Sequence, residues 1–205
     1  MSGGFINIYL VYEKDLLIEK ELLTLISSIN NKYPIILKYS EDELGENWIN
    51  KKVEYNQLKE LLINLNDYYY LEIDIKNSFF NIEVDNYSIN LFKNKEYNAL
   101  RISIPSDKLF DNKDKQRDPI VLSDEIIKIM TNIYKNIKYS YAVCGHEIEV
   151  DYSLSEFKKQ IEAGYWEYNS ICILPDINKL KIYKGQYGID GISNQNKEII
   201  NISLQ

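Results

Sequence analysis

Cys144 and the only histidine of the chain, His146, stand two residues apart in a segment with the pattern of a strand. Alternate residues of a strand share one face, and a cysteine beside a histidine is an arrangement that generates a thiolate nucleophile. The same side of this segment also carries the apolar residues Ala142, Ile148 and Val150. Because such a side faces the core, we interpret Cys144 and His146 as structural and predict neither a catalytic residue nor an enzymatic activity.

Two shorter motifs bear on bound metals and phosphates. Asp74-Ile75-Lys76 matches half of the signature of metal-dependent nucleases, but this pattern also arises by chance in a chain rich in both residue types. Residues 185–191 carry a glycine at every third position, but no helix is predicted after them, so we interpret them as a flexible loop. A single histidine and two cysteines without CxxC spacing argue against a zinc site. We therefore predict no metal and no cofactor.

A cluster of acidic and aromatic residues predicts a different kind of site, a surface that binds a protein partner. If Asn77-Ser78 forms the tip of a two-residue hairpin, Glu72 lies directly opposite Glu83 on the polar face. Opposed carboxylates reduce stability unless a basic partner meets them. Extending the sheet adds Asn90, Phe92 and an arginine, and aromatic residues and arginine are enriched in protein interfaces. The predicted partner-binding residues are Tyr70, Glu72, Asp74, Glu83, Asp85 and Arg101. The alternative is a solvated sheet face.

The elements that position this cluster follow from the spacing of apolar residues. Helical spacing predicts three helices, over 18–29, over 55–65, and in a third segment that ends at about residue 138. For the first helix, Asp15 is a candidate cap and Tyr33-Pro34 the predicted stop. The capping box Ser153-Leu154-Ser155-Glu156 opens a short helix that ends at Gly164. Strands are predicted at 5–12, 34–39, 68–75, 79–84, 88–93, 97–104, 139–150, 168–174, 179–183 and 198–204. Residues 41–52 and 105–119 are predicted loops, the second a candidate mobile segment. The predicted fold class is α+β, a central antiparallel meander with helices packed mainly on one face.

Length and charge restrict the remaining classes of protein. The 205 residues, without an internal linker or repeat, predict a single domain over 1–205. A net charge of −7 without a dense basic run argues against nucleic-acid binding and favours a basic protein partner. The first residues have neither the basic nor the apolar part of a signal peptide, and no apolar run has the length of a membrane span. These features predict a cytoplasmic protein.

Taken whole, the chain resembles the small immunity proteins that bacteria encode beside polymorphic toxins. The resemblance lies in its acidic composition, an isolated first strand and long helix, a central meander, and a helix that leads into the segment 139–147. It implies a non-enzymatic protein that binds one cognate toxin, with a basic site on the toxin as the complement of the acidic face. The alternative is a small-molecule binding module, such as a nucleotide-signal sponge of the kind phages use, in which some of the 18 tyrosines stack on the ligand.

Overall fold

The structure is a computed structural model that describes residues 4–29, 35–42, 44–64, 68, 70–76, 78–112 and 115–204. The α-helices of this part are α1 (Ile18–Ile29), α2 (Tyr55–Asn64), α3 (Ser106–Phe110), α4 (Pro119–Asn136) and α5 (Leu154–Glu162), and a 3₁₀ helix covers Tyr165–Tyr168. The strands are β1 (Phe5–Glu13), β2 (Ile35–Ser40), β3 (Trp48–Val53), β4 (Tyr70–Ile75), β5 (Tyr87–Lys93), β6 (Tyr97–Pro105), β7 (Asp111–Asn112), β8 (Lys115–Gln116), β9 (Tyr141–His146), β10 (Ile171–Asp176), β11 (Lys179–Lys184) and β12 (Glu198–Ser203). None of the described helices is both long and apolar enough to cross a membrane.

Ten of these strands form one antiparallel sheet, in the order β12-β11-β10-β9-β1-β6-β5-β4-β2-β3. The first strand of the chain lies in the middle, where it pairs with β6 on one side and β9 on the other. Two meanders therefore meet at β1: β4-β5-β6 on one side, and β9 to β12 on the other. Strands β7 and β8 form a separate two-stranded ribbon. An antiparallel sheet with helices confirms the α+β class.

Both faces of β1 are buried, and they contribute to two different cores. Ile8 and Leu10 belong to the larger cluster, here called the main core, together with apolar residues of α1, α2, α3 and α4. Tyr9 and Val11, which alternate with them, belong to a smaller second core with Phe157 of α5. This double burial explains why β1 has an almost continuous apolar sequence instead of a polar–apolar alternation.

The helix ends follow capping rules that are visible in the sequence. The hydroxyl of Ser153 accepts a hydrogen bond from the backbone of Glu156, whose carboxylate accepts one from the backbone of Ser153, which confirms the predicted capping box. Gly164 follows the last turn of α5 with a φ of 84°, a left-handed conformation that favours glycine. Helix α4 begins with Pro119 behind Asp118, whose carboxylate accepts from the backbone of Ile120 at 2.8 Å.

Several predicted elements are wrong. Residues 48–52, the end of the predicted loop 41–52, belong to strand β3, which lies at the sheet edge and buries only Val53, so it has no alternating apolar pattern. Residues 79–84, predicted as a strand, form a tight turn in which Phe79 and Ile82 exchange two backbone hydrogen bonds of 2.9 Å. Their side chains are buried, so the apolar sequence reflects a turn inserted into the main core. Phe80, inside this turn, has a φ of 54°.

Other predictions need smaller corrections. The predicted loop 105–119 contains α3 and the β7–β8 ribbon, and β9 ends at His146 instead of continuing to residue 150. Helix α1 begins at Ile18, too far along the chain for Asp15 to be its capping residue. The turn predicted at Pro175-Asp176 lies two residues later, since both belong to β10. The predicted stop at Tyr33-Pro34, the apolar position Leu65 and the hairpin residue Asn77 lie outside the described residues.

We propose that residues 1–205 fold as one domain, because β1 joins both meanders. Ile8 is fully buried and faces Ile102 on one side and Cys144 on the other. Truncation in the substitution Ile8→Ala should lower the free energy of unfolding by about 3 kcal/mol. In differential scanning calorimetry we expect one transition for the native chain and one, at lower temperature, for the variant. Two transitions, of which only one moves, would contradict a single domain.

Candidate partner-binding surface

The predicted site residues on β4 and β6 lie on the side of the sheet that faces away from the main core. We call this side, over strands β2 to β6, the outer face. In the register of the strands, Lys38 lies opposite Glu72, Glu72 opposite Asn90, and Asn90 opposite Arg101. These four residues form a straight row across β2, β4, β5 and β6. Tyr70 and Asp74 flank the row on β4, because alternate residues of a strand share a face.

Hydrogen bonds connect the row from end to end. The ammonium of Lys38 lies 2.8 Å from Glu72 Oε1 and 2.6 Å from Asp74 Oδ2. Asn90 Nδ2 donates to Glu72 Oε2 at 2.8 Å, and Arg101 Nη2 donates to Asn90 Oδ1 at 3.2 Å. The carboxylates of Glu72 and of the flanking Asp74 are thus balanced by the two cations of the row, Lys38 and Arg101. Charge-assisted bonds of this kind fix side-chain geometry more firmly than isolated surface pairs.

Hydrogen bonds in the row shift the pKa values of Glu72 and Lys38 in the direction opposite to the effect of burial. Burial alone would raise the pKa of Glu72, but hydrogen bonds from Lys38 and Asn90 outweigh it and hold the pKa below the usual range. Burial likewise opposes the charge of Lys38, and hydrogen bonds to Asp74 and Glu72 nevertheless raise the pKa of its ammonium. Both shifts favour the ionised forms, so Glu72 and Lys38 stay charged around neutral pH.

Arg101 also lies over an aromatic ring on the outer face. Its guanidinium carbon is 4.8 Å from the centre of the Phe92 ring, within the range of a cation–π interaction. Phe92 is in turn 6.4 Å from Tyr9, a residue of the second core. The guanidinium is therefore held from two sides, by Asn90 and by Phe92, at the point where the outer face meets the second core.

An aromatic pair occupies the other end of the outer face. The rings of Trp48 on β3 and Tyr70 on β4 lie 6.1 Å apart, and about two fifths of each side chain is exposed. Gly45 lies against this pair with a φ of 66°, and a Cβ there would come within 3.2 Å of the Tyr70 ring. A larger residue at this position would be strained in its backbone and would crowd the tyrosine.

The turn before β3 is organised by Asp42. Its carboxylate accepts backbone hydrogen bonds from Glu46 and Asn47, both at 2.9 Å, and one from the Ser40 hydroxyl at 2.8 Å. These bonds, with that from Glu46 first, lower the pKa of Asp42 from 3.8 to about 2. The carboxylate thereby fixes the turn from which Trp48 projects.

Two of the predicted site residues are not on the sheet face. Glu83 and Asp85 lie in the connection between β4 and β5, and both are exposed. The carbonyl of Glu83 accepts a hydrogen bond from Arg117 at 3.2 Å, and the carboxylate of Asp85 lies 3.7 Å from Lys108. The predicted pairing of Glu72 with Glu83 is wrong, because the chain turns at Phe79–Ile82 and β5 becomes the neighbour of β4.

Sequence reasoning missed Lys38 and Trp48 as members of this surface. The signal for Lys38 was present, since a single lysine in the apolar strand Ile35–Ser40 marks the polar side of the alternation. Trp48 had no such signal, because it begins an exposed edge strand that resembles a loop. Conversely, the placement of Asn90, Phe92 and Arg101 on one face with Glu72 is confirmed by the register.

The cysteines and the histidine lie away from the outer face. Cys144 is buried in the main core and Cys172 in the second core, and burial raises the pKa of both thiols, that of Cys172 to about 12. Ile148 and Val150 pack against the second core rather than on the side of Cys144, because β9 has already ended. Within the described residues, no three His, Cys, Asp or Glu side chains are grouped to hold a metal ion.

One of the comparisons with known proteins finds a family whose model matches most of the chain. The model of the family described as Immunity protein 64 matches residues 4–195. No curated protein and no solved structure matches the chain. The matched range contains all five helices and the whole outer face, whereas β12 lies beyond it.

The carboxylate of Asp42 should control the turn that carries Trp48. Because its pKa is lower in the folded than in the unfolded chain, its stabilising effect is complete above pH 3.8 and is lost as the pH falls towards 2. NMR titration of the Asp42 carboxyl carbon should give a midpoint near 2, and Asp42→Ala should change the fluorescence of the exposed Trp48 already at neutral pH. A midpoint near 4, or an unchanged spectrum in the variant, would contradict this role.

Proposed function

The chain belongs to the immunity protein 64 family, and from that membership we propose that it binds a cognate protein toxin in the bacterial cytoplasm and blocks it without catalysing a reaction. The observation that supports this most directly is the family match over almost the whole chain. The outer face supplies a surface suited to the task. Its residues include tryptophan, tyrosine and arginine, the three residue types most enriched among interface residues that dominate binding energy.

We infer that the outer face is the uncovered part of the sheet. Apolar residues of α1, α2 and α4 belong to the main core, on the opposite side, which supports the expectation that the helices lie mainly on one face. Helix α5 belongs to the second core, where Phe157 stacks on Tyr141 of β9 with ring centres 3.9 Å apart. Helix α5 therefore packs near β9. The charged side chains Lys38, Glu72 and Asp74 on β2 and β4 remain partly exposed.

We further infer that the toxin presents basic groups to this surface. The chain as a whole has a net charge of −7, which attracts a basic partner over long range. Asp74, Glu83 and Asp85 lie at or beyond the same end of β4 and add negative charge beside the row. A basic side chain of the toxin that approaches Glu72 and Asp74 would take over the position of Lys38, which now bridges them. The proposed surface thus comprises five residues of the outer face, with Glu83 and Asp85 in the connection beyond the end of β4. The five are Trp48, Tyr70, Glu72, Asp74 and Arg101.

The nucleotide-sponge alternative has less support from the geometry. Pockets for small molecules are lined predominantly by apolar and aromatic side chains. A cavity of about 470 Å³ is lined by Lys51, Lys52, Val53, Gln57, Glu60 and Leu61, and one of about 300 Å³ by Asn81, Ile82, Arg117, Asp118, Val121, Leu122 and Glu125. Neither lining contains a tyrosine. Thermal denaturation in the presence of cyclic and ADP-ribose-like nucleotides distinguishes the two functions, because ligand binding raises the melting temperature.

The aromatic pair should contribute most of the binding energy. We expect Trp48→Ala and Tyr70→Ala each to weaken binding of the toxin encoded by the adjacent gene by about 2 kcal/mol, roughly 30-fold in affinity. Isothermal titration calorimetry measures this loss. Tyr168→Ala is the matched control, since Tyr168 is 68% exposed and lies on the 3₁₀ helix, away from the outer face. Equal effects at all three positions would contradict the proposed surface.

The acidic end of the surface should act mainly on the rate of association. Asp85 is exposed and lies in a connection, so Asp85→Lys should leave the fold intact and slow association with a basic toxin several-fold at low salt. At high ionic strength the difference should disappear. Asp176→Lys serves as the control, because Asp176 has a similar exposed setting at the end of β10. Unchanged association rates for Asp85→Lys in stopped-flow measurements would show that no basic site approaches this end.

A further inference from the structure

The two edges of the ten-stranded sheet differ in their chemistry. The edge strand β3 carries Lys51 and Lys52, and charged lysines on an edge are a known device against strand pairing between molecules. The edge strand β12 has no charged residue from Ile199 to Leu204 and contains three isoleucines. A short, isoleucine-rich strand with little charge and no proline is a sequence that pairs readily with another strand. Among the described residues, no strand lies beyond β12.

The isoleucines of β12 are only partly covered. Ile200 and Ile202 face Ile182 and Leu180 on β11 and pack against the main core, and both remain partly exposed. Ile199, on the opposite side of the strand, has 47% of its surface exposed. A further strand beside β12 would cover the exposed surface of these isoleucines on both sides of the sheet. The removal of apolar surface from water would stabilise the association of the two strands.

We propose that β12 pairs in antiparallel fashion with β12 of a second copy of this chain and joins two sheets into one continuous sheet. The alternation of faces limits the register, because residues opposite each other must point to the same side of the sheet. A two-fold axis through Asn201 satisfies this condition. It places Ile200 opposite Ile202 of the second copy, Ile199 opposite Ser203, and Glu198 opposite Leu204.

This register is self-complementary. The apolar side of one strand meets the apolar side of the other, and the two Glu198 carboxylates do not oppose each other. Two-fold dimers with such isologous contacts are the commonest protein oligomers. The axis is perpendicular to the sheet, so the outer faces of both copies remain on the same side, at the far ends from β12. The dimer therefore leaves the proposed toxin-binding surface accessible and is independent of it.

The expected dimer dissociates on dilution. A strand of six residues buries less than the roughly 800 Å² per partner of a standard interface. Sedimentation velocity over about 1 to 200 µM, the range in which an interface of this size dissociates, should show a shift from monomer to dimer. Asn201→Lys places two ammonium groups next to each other on the axis and should raise the dissociation constant at least tenfold.

Asn50→Lys is the matched control. Both asparagines are exposed, both lie in the middle of an edge strand, and each faces a lysine on the neighbouring strand, Lys38 for Asn50 and Lys181 for Asn201. Asn50→Lys should leave the monomer–dimer shift unchanged. Far-UV circular dichroism and melting temperature establish whether both variants fold. If Asn201→Lys does not fold, Ile199→Lys is the second variant that tests the same edge.

Three results would overturn the proposal. A native chain that stays monomeric over the whole concentration range excludes self-pairing. A dimer that both variants weaken equally, or that Asn201→Lys leaves intact, places the interface elsewhere. A monomeric native chain whose toxin binding is weakened by Asn201→Lys and by Ile199→Lys, but not by Asp176→Lys, shows that the edge of β12 accepts a strand of the toxin instead. None of these results tests the outer face, which is measured separately with Trp48→Ala and Tyr70→Ala.

Discussion

The burial of both faces of β1 is the constraint on which the rest of the structure depends. A strand in the middle of ten, with Ile8 and Leu10 on one side and Tyr9 and Val11 on the other, requires a covering layer on each face. Helices α1, α2 and α4 contribute to the main core, and α5 contributes to the second. The second layer is shorter, and this difference in coverage divides the sheet into a part with two apolar faces and a part with only one.

The polar row on the outer face is a consequence of that division. Where a helix covers the sheet, the side chains that alternate with the main core are Tyr9, Val11 and Val143, all buried in the second core. Beyond the second core, the corresponding positions on β6, β5, β4 and β2 are the polar residues Arg101, Asn90, Glu72 and Lys38. Half-buried charges are tolerated only when they are paired and hydrogen-bonded, and the row satisfies each of them from its neighbours.

Much of this arrangement could be predicted from the sequence, and the predictions that failed did so for related physical reasons. Apolar periodicity located β1, β5, β6, α1 and α4, because each of these elements buries a regular pattern in a core. Periodicity failed for β3, which is defined by backbone pairing with β2 while its side chains stay in solvent. It failed again at Phe79–Ile82, where burial without strand geometry produced the same apolar signal. Because residues 79–84 were predicted as the strand beside β4, Glu83 was predicted opposite Glu72, where the structure has Asn90.

The observed neighbours of Glu72 are Lys38 and Asn90 instead of the predicted Glu83, and this difference changes how the surface would recognise a partner. Two opposed carboxylates would attract any cation, whereas the carboxylate of Glu72 is already paired with Lys38 and hydrogen-bonded to Asn90. A partner that binds the proposed surface would therefore have to offer Glu72 and Asp74 a better geometry than Lys38 does, and to cover Trp48 and Tyr70 at the same time. Specificity is a difference between affinities. Lys38 competes for the carboxylates of Glu72 and Asp74, so it weakens the binding of any cation that fits them less well than Lys38 does. A pre-paired row beside an aromatic anchor thus favours one matched surface over general attraction to basic proteins.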